Sequence, residues 1–184
     1  MFSTTAKATD LRRGRFGKKS GRGKPDECRG CPLWDAPGPV WGDGDEDADL
    51  VFLGEAPGPD EVAHRPKPKA FVGPAGKVHG FTLKAAGIDR KKVWTTNVVK
   101  CLPQVGGRVR KPTAKEIRCC TERWLWEELN GVGANAIVAL GDTAFSALMG
   151  DEEKRSITEW RGAVVEKTLP GEVTDGTEVQ SRGG

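Results

Sequence analysis

The chain has 184 residues, 36% of them hydrophobic, with 25 glycines, 12 prolines and a net charge of +3. That length suits one domain with a single core, diluted by loops and polar ends. No run approaches the roughly 18 apolar residues of a membrane span, and no apolar signal core opens the chain, so a soluble intracellular protein is expected.

Residues 7–24 carry Lys7, Arg12, Arg13, Arg15, Lys18, Lys19, Arg22 and Lys24 against Asp10 alone. Glycine and serine separate them, and such a composition cannot bury a core. Residues 1–26 therefore read as a disordered basic arm. Arms of this kind lie along nucleic-acid phosphates, or they simply solubilise. Asp43, Asp45, Glu46, Asp47 and Asp49 form a short acidic run, read as a solvated loop. Ala48–Gly54 is a short apolar run ended by a Gly/Pro cluster, which predicts a buried strand. Residues 59–70 read as a loop, and 74–87 as a helix capped at Gly87. Val93–Val99 is β-branched and predicts a second strand, followed by a loop over 102–112. Thr113 and Glu116 have capping-box spacing and open a long helix. Ile117, Cys120, Trp124, Leu125 and Leu129 share its apolar face. Ala136–Leu140 predicts a third strand and Asp142–Met149 a short helix. Ala163–Val165 is the candidate for a fourth strand, and residues 170–184 read as a disordered tail.

Apolar strands alternating with helices argue for a parallel sheet covered on both faces. Ligands of such sheets sit at the carboxyl ends of the strands. Two distinctive stretches, Gly54–Gly58 and Asn97–Cys101, follow strand ends and should share one rim.

Five cysteines occur, at 28, 31, 101, 119 and 120. Cys28 and Cys31 form a C-x₂-C pair in a loop, and Cys101 ends a strand. Cys119 and Cys120 are neighbours on a helix and point about 100° apart. Cys120 lies on the apolar face and Cys119 is turned off it, which selects Cys28, Cys31, Cys101 and Cys120 as ligands. Four thiolates suit zinc or an iron–sulfur cluster. Spacing alone does not choose between them, although the second C-x₂-C of a zinc ribbon is absent.

In order, the chain reads Cys28-x-x-Cys31-Pro32-Leu33, Gly54-Glu55-Ala56-Pro57-Gly58 with Glu61, and Phe71-Val72-Gly73-x-Ala75-Gly76. Thr96-Asn97-Val98-Val99-Lys100-Cys101, Glu116-Ile117-x-x-Cys120 and Leu140-Gly141-x-Thr143-Ala144 follow. From about Cys28 to Gly162 this resembles the family 4, iron–sulfur uracil-DNA glycosylases. The resemblance implies a three-layer α/β/α sandwich around a four-stranded parallel sheet, spanning residues 27–169, with its last strand and following loop incomplete. It implies a [4Fe–4S] cluster in a structural role, and hydrolytic removal of a flipped uracil from single- or double-stranded DNA by a monomer in the cytoplasm of a bacterial or phage-infected cell. Carried over by matched position, Phe71 would stack on the base and Asn97 would read its edge. Glu61 would stand near C5, where a thymine methyl would clash. Glu55 and the backbone at Gly54, Ala56 and Gly58 would line the pocket and hold the attacking water.

The chain departs from the family in two places. The family's His-Pro motif after the fourth strand is missing, and the only histidines are His64 and His79. A fragment of a longer enzyme and a catalytically impaired DNA-binding module, such as occurs fused to phage-type polymerases, both account for that. The loop 59–70 is also unusually basic. Arg65, Lys67 and Lys69, with Arg108, Arg110 and Lys111, are candidates for phosphate contacts.

Overall fold

Leu50–Gly54 forms the central strand, β2. Val51 and Leu53 are fully buried on one face of the sheet, and Phe52 is buried on the other. This double burial is why the strand reads as a continuous apolar run and not an alternating one. The computed structural model describes residues 24–150 and 158–170. The basic arm before Lys24 and the tail after Pro170 lie outside the described residues.

The strands are β1 (Asp43–Gly44), β2, β3 (Trp94–Asn97), a small pair β4 (Gln104–Val105) and β5 (Arg108–Val109), and β6 (Ala136–Ala139). The helices are α1 (Pro59–Ala63), α2 (Pro74–Ala85), α3 (Ala114–Cys120), α4 (Trp126–Val132) and α5 (Asp142–Met149). The main sheet has the order β1-β3-β2-β6. β2 pairs in parallel with β3 and β6, and β1 pairs antiparallel with β3. On one face Val51 and Leu53 pack with Trp124, Leu125 and Leu129 of the long helical segment and with Ala144 of α5. On the other, Phe52 packs with Leu83 of α2 and with Val93. The three-layer α/β/α expectation holds, with a mixed sheet in place of an all-parallel one.

The fourth strand is not where the sequence pointed. Val164 is 97% exposed, and residues 158–170 contain no strand. The fourth strand is β1, which begins the acidic run where a solvated loop is expected. An edge strand has one open side, so a charged residue such as Asp43 is tolerated there. Gly44 makes the pairing possible: a Cβ would sit 1.9 Å from the Val93 carbonyl oxygen. The expected loop 59–70 begins as α1. The expected loop 102–112 carries the β4–β5 hairpin, turned by Gly106 and Gly107 with φ of 56° and 77°. A Gly-Gly pair at positive φ is a favoured two-residue hairpin turn.

α2 ends as anticipated at Gly87. Its φ is 71°, and its N–H donates to the Lys84 carbonyl at 3.1 Å while Ile88 N–H reaches Leu83 O at 2.9 Å. That paired bonding is a Schellman cap.

The helix opening at Thr113 has its capping box. Thr113 N–H donates to Glu116 Oε2 at 2.7 Å, and Glu116 N–H donates to Thr113 Oγ1 at 3.3 Å. A π turn over Thr121–Leu125 divides the segment into α3 and α4. Arg110 forks onto Glu116, with contacts of 2.7 and 2.5 Å. The Arg110 guanidinium and then the Thr113 bonds hold the Glu116 carboxyl below its ordinary value of 4.5, against the opposing cost of burial. Stability from this carboxylate is therefore full above that ordinary value and is lost as pH falls through the depressed folded value. Thr113→Ala is expected to cost about 1 kcal/mol, seen as a lower urea midpoint at unchanged slope.

Candidate functional site

Gly54 and Asn97 are register partners at the carboxyl ends of β2 and β3. A Cβ on Gly54 would lie 2.5 Å from Asn97 Oδ1 and 2.7 Å from Phe71 Cζ. The missing side chain is thus the space into which an amide and an aromatic ring converge. Asn97 is 3% exposed, and its Nδ2 has no hydrogen-bond partner among the described residues. A buried amide donor left unpaired costs free energy and calls for a partner from water or a ligand.

Phe71 is the one non-glycine described residue with positive φ, at 56°. Its N–H donates to Glu61 Oε1 at 2.5 Å. The second Glu61 oxygen accepts from Gly58 N–H. Gly76 lies so close that a Cβ there would sit 2.0 Å from Phe71 O. A left-handed conformation costs a bulky residue about 1–3 kcal/mol and persists only where neighbours over-determine it. Glu61 and Gly76 are those neighbours. His79 is buried against the ring, 5.2 Å between centroids, and also against Phe52 at 4.5 Å. Burial, then Arg90, pushes the His79 pKa below its ordinary value. Glu55 is half-buried at the same rim, with its carboxylate accepting from Thr143 Oγ1 in the first turn of α5. The sequence reading passed over Thr143 as a holder of Glu55, although it stood in a motif quoted for the resemblance. Ala56 is half-buried against the core.

Both Glu61 oxygens are thus engaged with backbone N–H groups. Glu61→Gln preserves size but turns one acceptor into a donor facing an N–H. A loss of about 1–3 kcal/mol is expected, measured by chemical denaturation.

All five cysteines line one cavity between the Cys28–Cys31 loop, the end of β3 and α3, together with Lys24, Lys100 and Arg123. Cys120 accepts from Lys100 N–H at 3.3 Å. Cys119 also borders the cavity and accepts from Arg123 Nη1 at 2.5 Å. Burial pushes the Cys101 thiol up to about 11 and the Cys120 thiol to about 12. A bound cation inverts that preference, because it holds thiolates outright. The donor set fits a thiophilic metal centre: sulfur only, with no carboxylate or imidazole among the described lining residues. As placed, the thiols do not draw into a coordination shell.

The basic candidates are dispersed. Arg65 bonds to the Ala63 and His64 carbonyls. Lys67 and Arg108 are exposed. Lys69 pairs with Asp43 at 3.1 Å. Arg110 is occupied by Glu116, and Lys111 is exposed. Lys24, counted in the basic arm, is instead 1% exposed beside the cysteines.

The family model of the uracil DNA glycosylase superfamily matches residues 41–177 of the chain. The chain belongs to that superfamily. Within it, the chain sides with the type-4 branch. It is 38% identical over 142 residues to the type-4 uracil-DNA glycosylase of Archaeoglobus fulgidus, covering 76% of this chain and 68% of that one. To the type-4 enzyme of Thermotoga maritima it is 39% identical over 138 residues, covering 74% and 67%. To the type-5 enzyme of Pyrobaculum aerophilum it is 30% identical over 129 residues, covering 63% and 54%.

Proposed function

We propose that the chain binds a uracil flipped out of DNA at the rim formed by Gly54, Phe71 and Asn97, and hydrolyses its N-glycosidic bond. The observation that carries this reading is the buried Asn97 amide, whose Nδ2 finds no partner among the described residues. A uracil edge offers what the amide lacks: O4 accepts from Nδ2, and N3–H donates to Oδ1. Phe71 stacks on the ring, held in its left-handed conformation by Glu61. Breaking the C1′–N1 bond leaves the electron pair on uracil and a cationic sugar. Asn97 stabilises the developing uracil anion, and the Glu55 carboxylate stands on the side of the cation. Water adds to C1′ and loses a proton to solvent, the uracil anion takes one from solvent, and the products are free uracil and an abasic site. Glu55, tethered by Thr143, orients that water.

Cys28, Cys31, Cys101 and Cys120 would hold a [4Fe–4S] cluster, with zinc as the alternative ion. Bound there, the cluster ties the N-terminal loop, the end of β3 and α3 together and takes no part in the hydrolysis. DNA is the partner, and Arg65, Lys67, Lys69, Arg108 and Lys111 supply phosphate contacts.

One observation favours a second reading, a DNA-binding module with impaired turnover. Of the two histidines, His64 bonds to Lys67 O in its loop and His79 is packed between Phe52 and Phe71. A rim without an imidazole donor forgoes about 10²–10³ in rate. Release of free uracil from a labelled single-stranded oligonucleotide decides between them. Release above an Asn97→Ala control supports the hydrolase. No release, with retained salt-sensitive binding, supports the module.

A further inference from the structure

We propose that Lys24 is a positioning residue of the cysteine site, closing the Cys28–Cys31 loop into ligating shape and supplying the fixed positive charge that thiolates there require. This rests on the reading that those cysteines hold a metal centre.

Lys24 lies four residues before Cys28, at the end of a stretch whose composition reads as a basic arm along phosphates or a solubilising tail. Its side chain turns inward and is 1% exposed. Nζ lies 2.7 Å from Leu33 O, 2.6 Å from Trp34 O and 2.6 Å from Ala36 O. Those carbonyls belong to the chain just after Cys31. One ammonium therefore joins the segment entering the C-x₂-C loop to the segment leaving it, and three bonds with three N–H donors fix its direction. A cation buried this deeply is sustained only by such partners.

The same ammonium borders the cavity that the cysteines line. Four thiolates carry more negative charge than a zinc ion or a [4Fe–4S] core neutralises. The remainder must be met by nearby donors and cations, which also tune the centre. Lys100, another cation of this cavity, is engaged by Glu128. Arg123 lies on the Cys119 side and bonds to its carbonyl and thiol. Lys24 borders the cavity together with Cys28 and Cys101 and is fixed there by the Leu33, Trp34 and Ala36 carbonyls.

The test uses the full chain purified anaerobically, as wild type and as Lys24→Arg, Lys24→Gln and Lys24→Met. Iron and zinc content are measured, along with the rate at which a chelator bleaches the visible absorbance and the reduction potential. Lys24→Gln and Lys24→Met are expected to lose metal about 10–100-fold faster than wild type, with Lys24→Arg between. In whatever fraction retains the cluster, Gln and Met shift the potential negative relative to Arg, because a lost cation disfavours the added electron. A purely structural clamp leaves the potential unmoved. Should Lys24→Met fail to fold, the Arg and Gln pair carries the comparison. Wild-type bleaching and potential in both overturn the proposal. A wild type that carries zinc ends the cluster reading but leaves Lys24 tested by zinc release to a chromophoric chelator. A wild type that carries no metal ends both.

Discussion

Asn97→Ala is expected to lower uracil release by about 10²–10³-fold under single-turnover conditions, the usual effect of removing one preorganised donor from a developing anion. The same substitution leaves stability within about 1 kcal/mol, because the amide is not part of the scaffold's hydrogen bonding on its Nδ2 side. That split separates a ligand-reading residue from a packing residue. It also applies to slow turnover: the preference of the chain for a uracil-containing over a thymine-containing strand should collapse with the amide, while salt-dependent binding to the backbone persists. An Asn97→Ala protein with unchanged uracil release would remove Asn97 from the pocket. A large loss of stability would instead make it a structural residue.

The parts of the fold legible in the sequence are those dictated by local chemistry. β2 and β6 are short apolar runs between turn residues, β3 is β-branched, and the Thr113–Glu116 box announces its helix. Elements missed were those fixed by distant partners. β1 is two residues long, and its strand character comes from the β3 edge and from Gly44 fitting under Val93 O. Ala163–Val165 has strand composition yet pairs with no strand, and Val164 is 97% exposed, so propensity alone misplaced the fourth strand. The β4–β5 turn was readable in Gly106-Gly107, and charge drew attention from it.

The candidate site divides in the same way. The resemblance named Gly54, Phe71 and Asn97, and the missing Cβ of Gly54 accounts for their meeting. Glu61 was named for its place near the base, yet its two oxygens hold the backbone of Phe71 and Gly58. Lys24 could not be found by composition, because a lysine becomes internal only when three carbonyls converge on it. Those carbonyls belong to the loop past Cys31.

Glu128→Ala is expected to cost about 3–5 kcal/mol, the penalty for leaving a buried charge without its partner. Glu128 of α4 is 5% exposed and gathers four donors. Gly42 N–H reaches it at 3.0 Å, Trp94 Nε1 at 3.1 Å and Thr96 Oγ1 at 3.0 Å, and Lys100 Nζ completes the set. One carboxylate therefore fastens the approach to β1, one face of β3 and the turn after it to a single helix. Lys100 is 1% exposed, and its Nζ also bonds to Thr96 Oγ1 at 2.8 Å and to Asn97 O at 2.7 Å. Removing Glu128 thus strands an ammonium on the backbone of Asn97, the residue proposed to read the base, so activity should fall with stability. Lys100→Met with Glu128→Leu should recover only part of the loss, since the Gly42, Trp94 and Thr96 donors remain unmet. A double-mutant cycle with an interaction energy near zero would show that the pair is not coupled. The backbone N–H of Lys100 rests on Cys120 Sγ while its ammonium holds the Asn97 carbonyl. Disturbance of the thiol cavity and of the rim pocket therefore travels through one residue. A Lys100→Met protein should show both metal loss and weakened uracil discrimination, where Asn97→Ala shows the second alone.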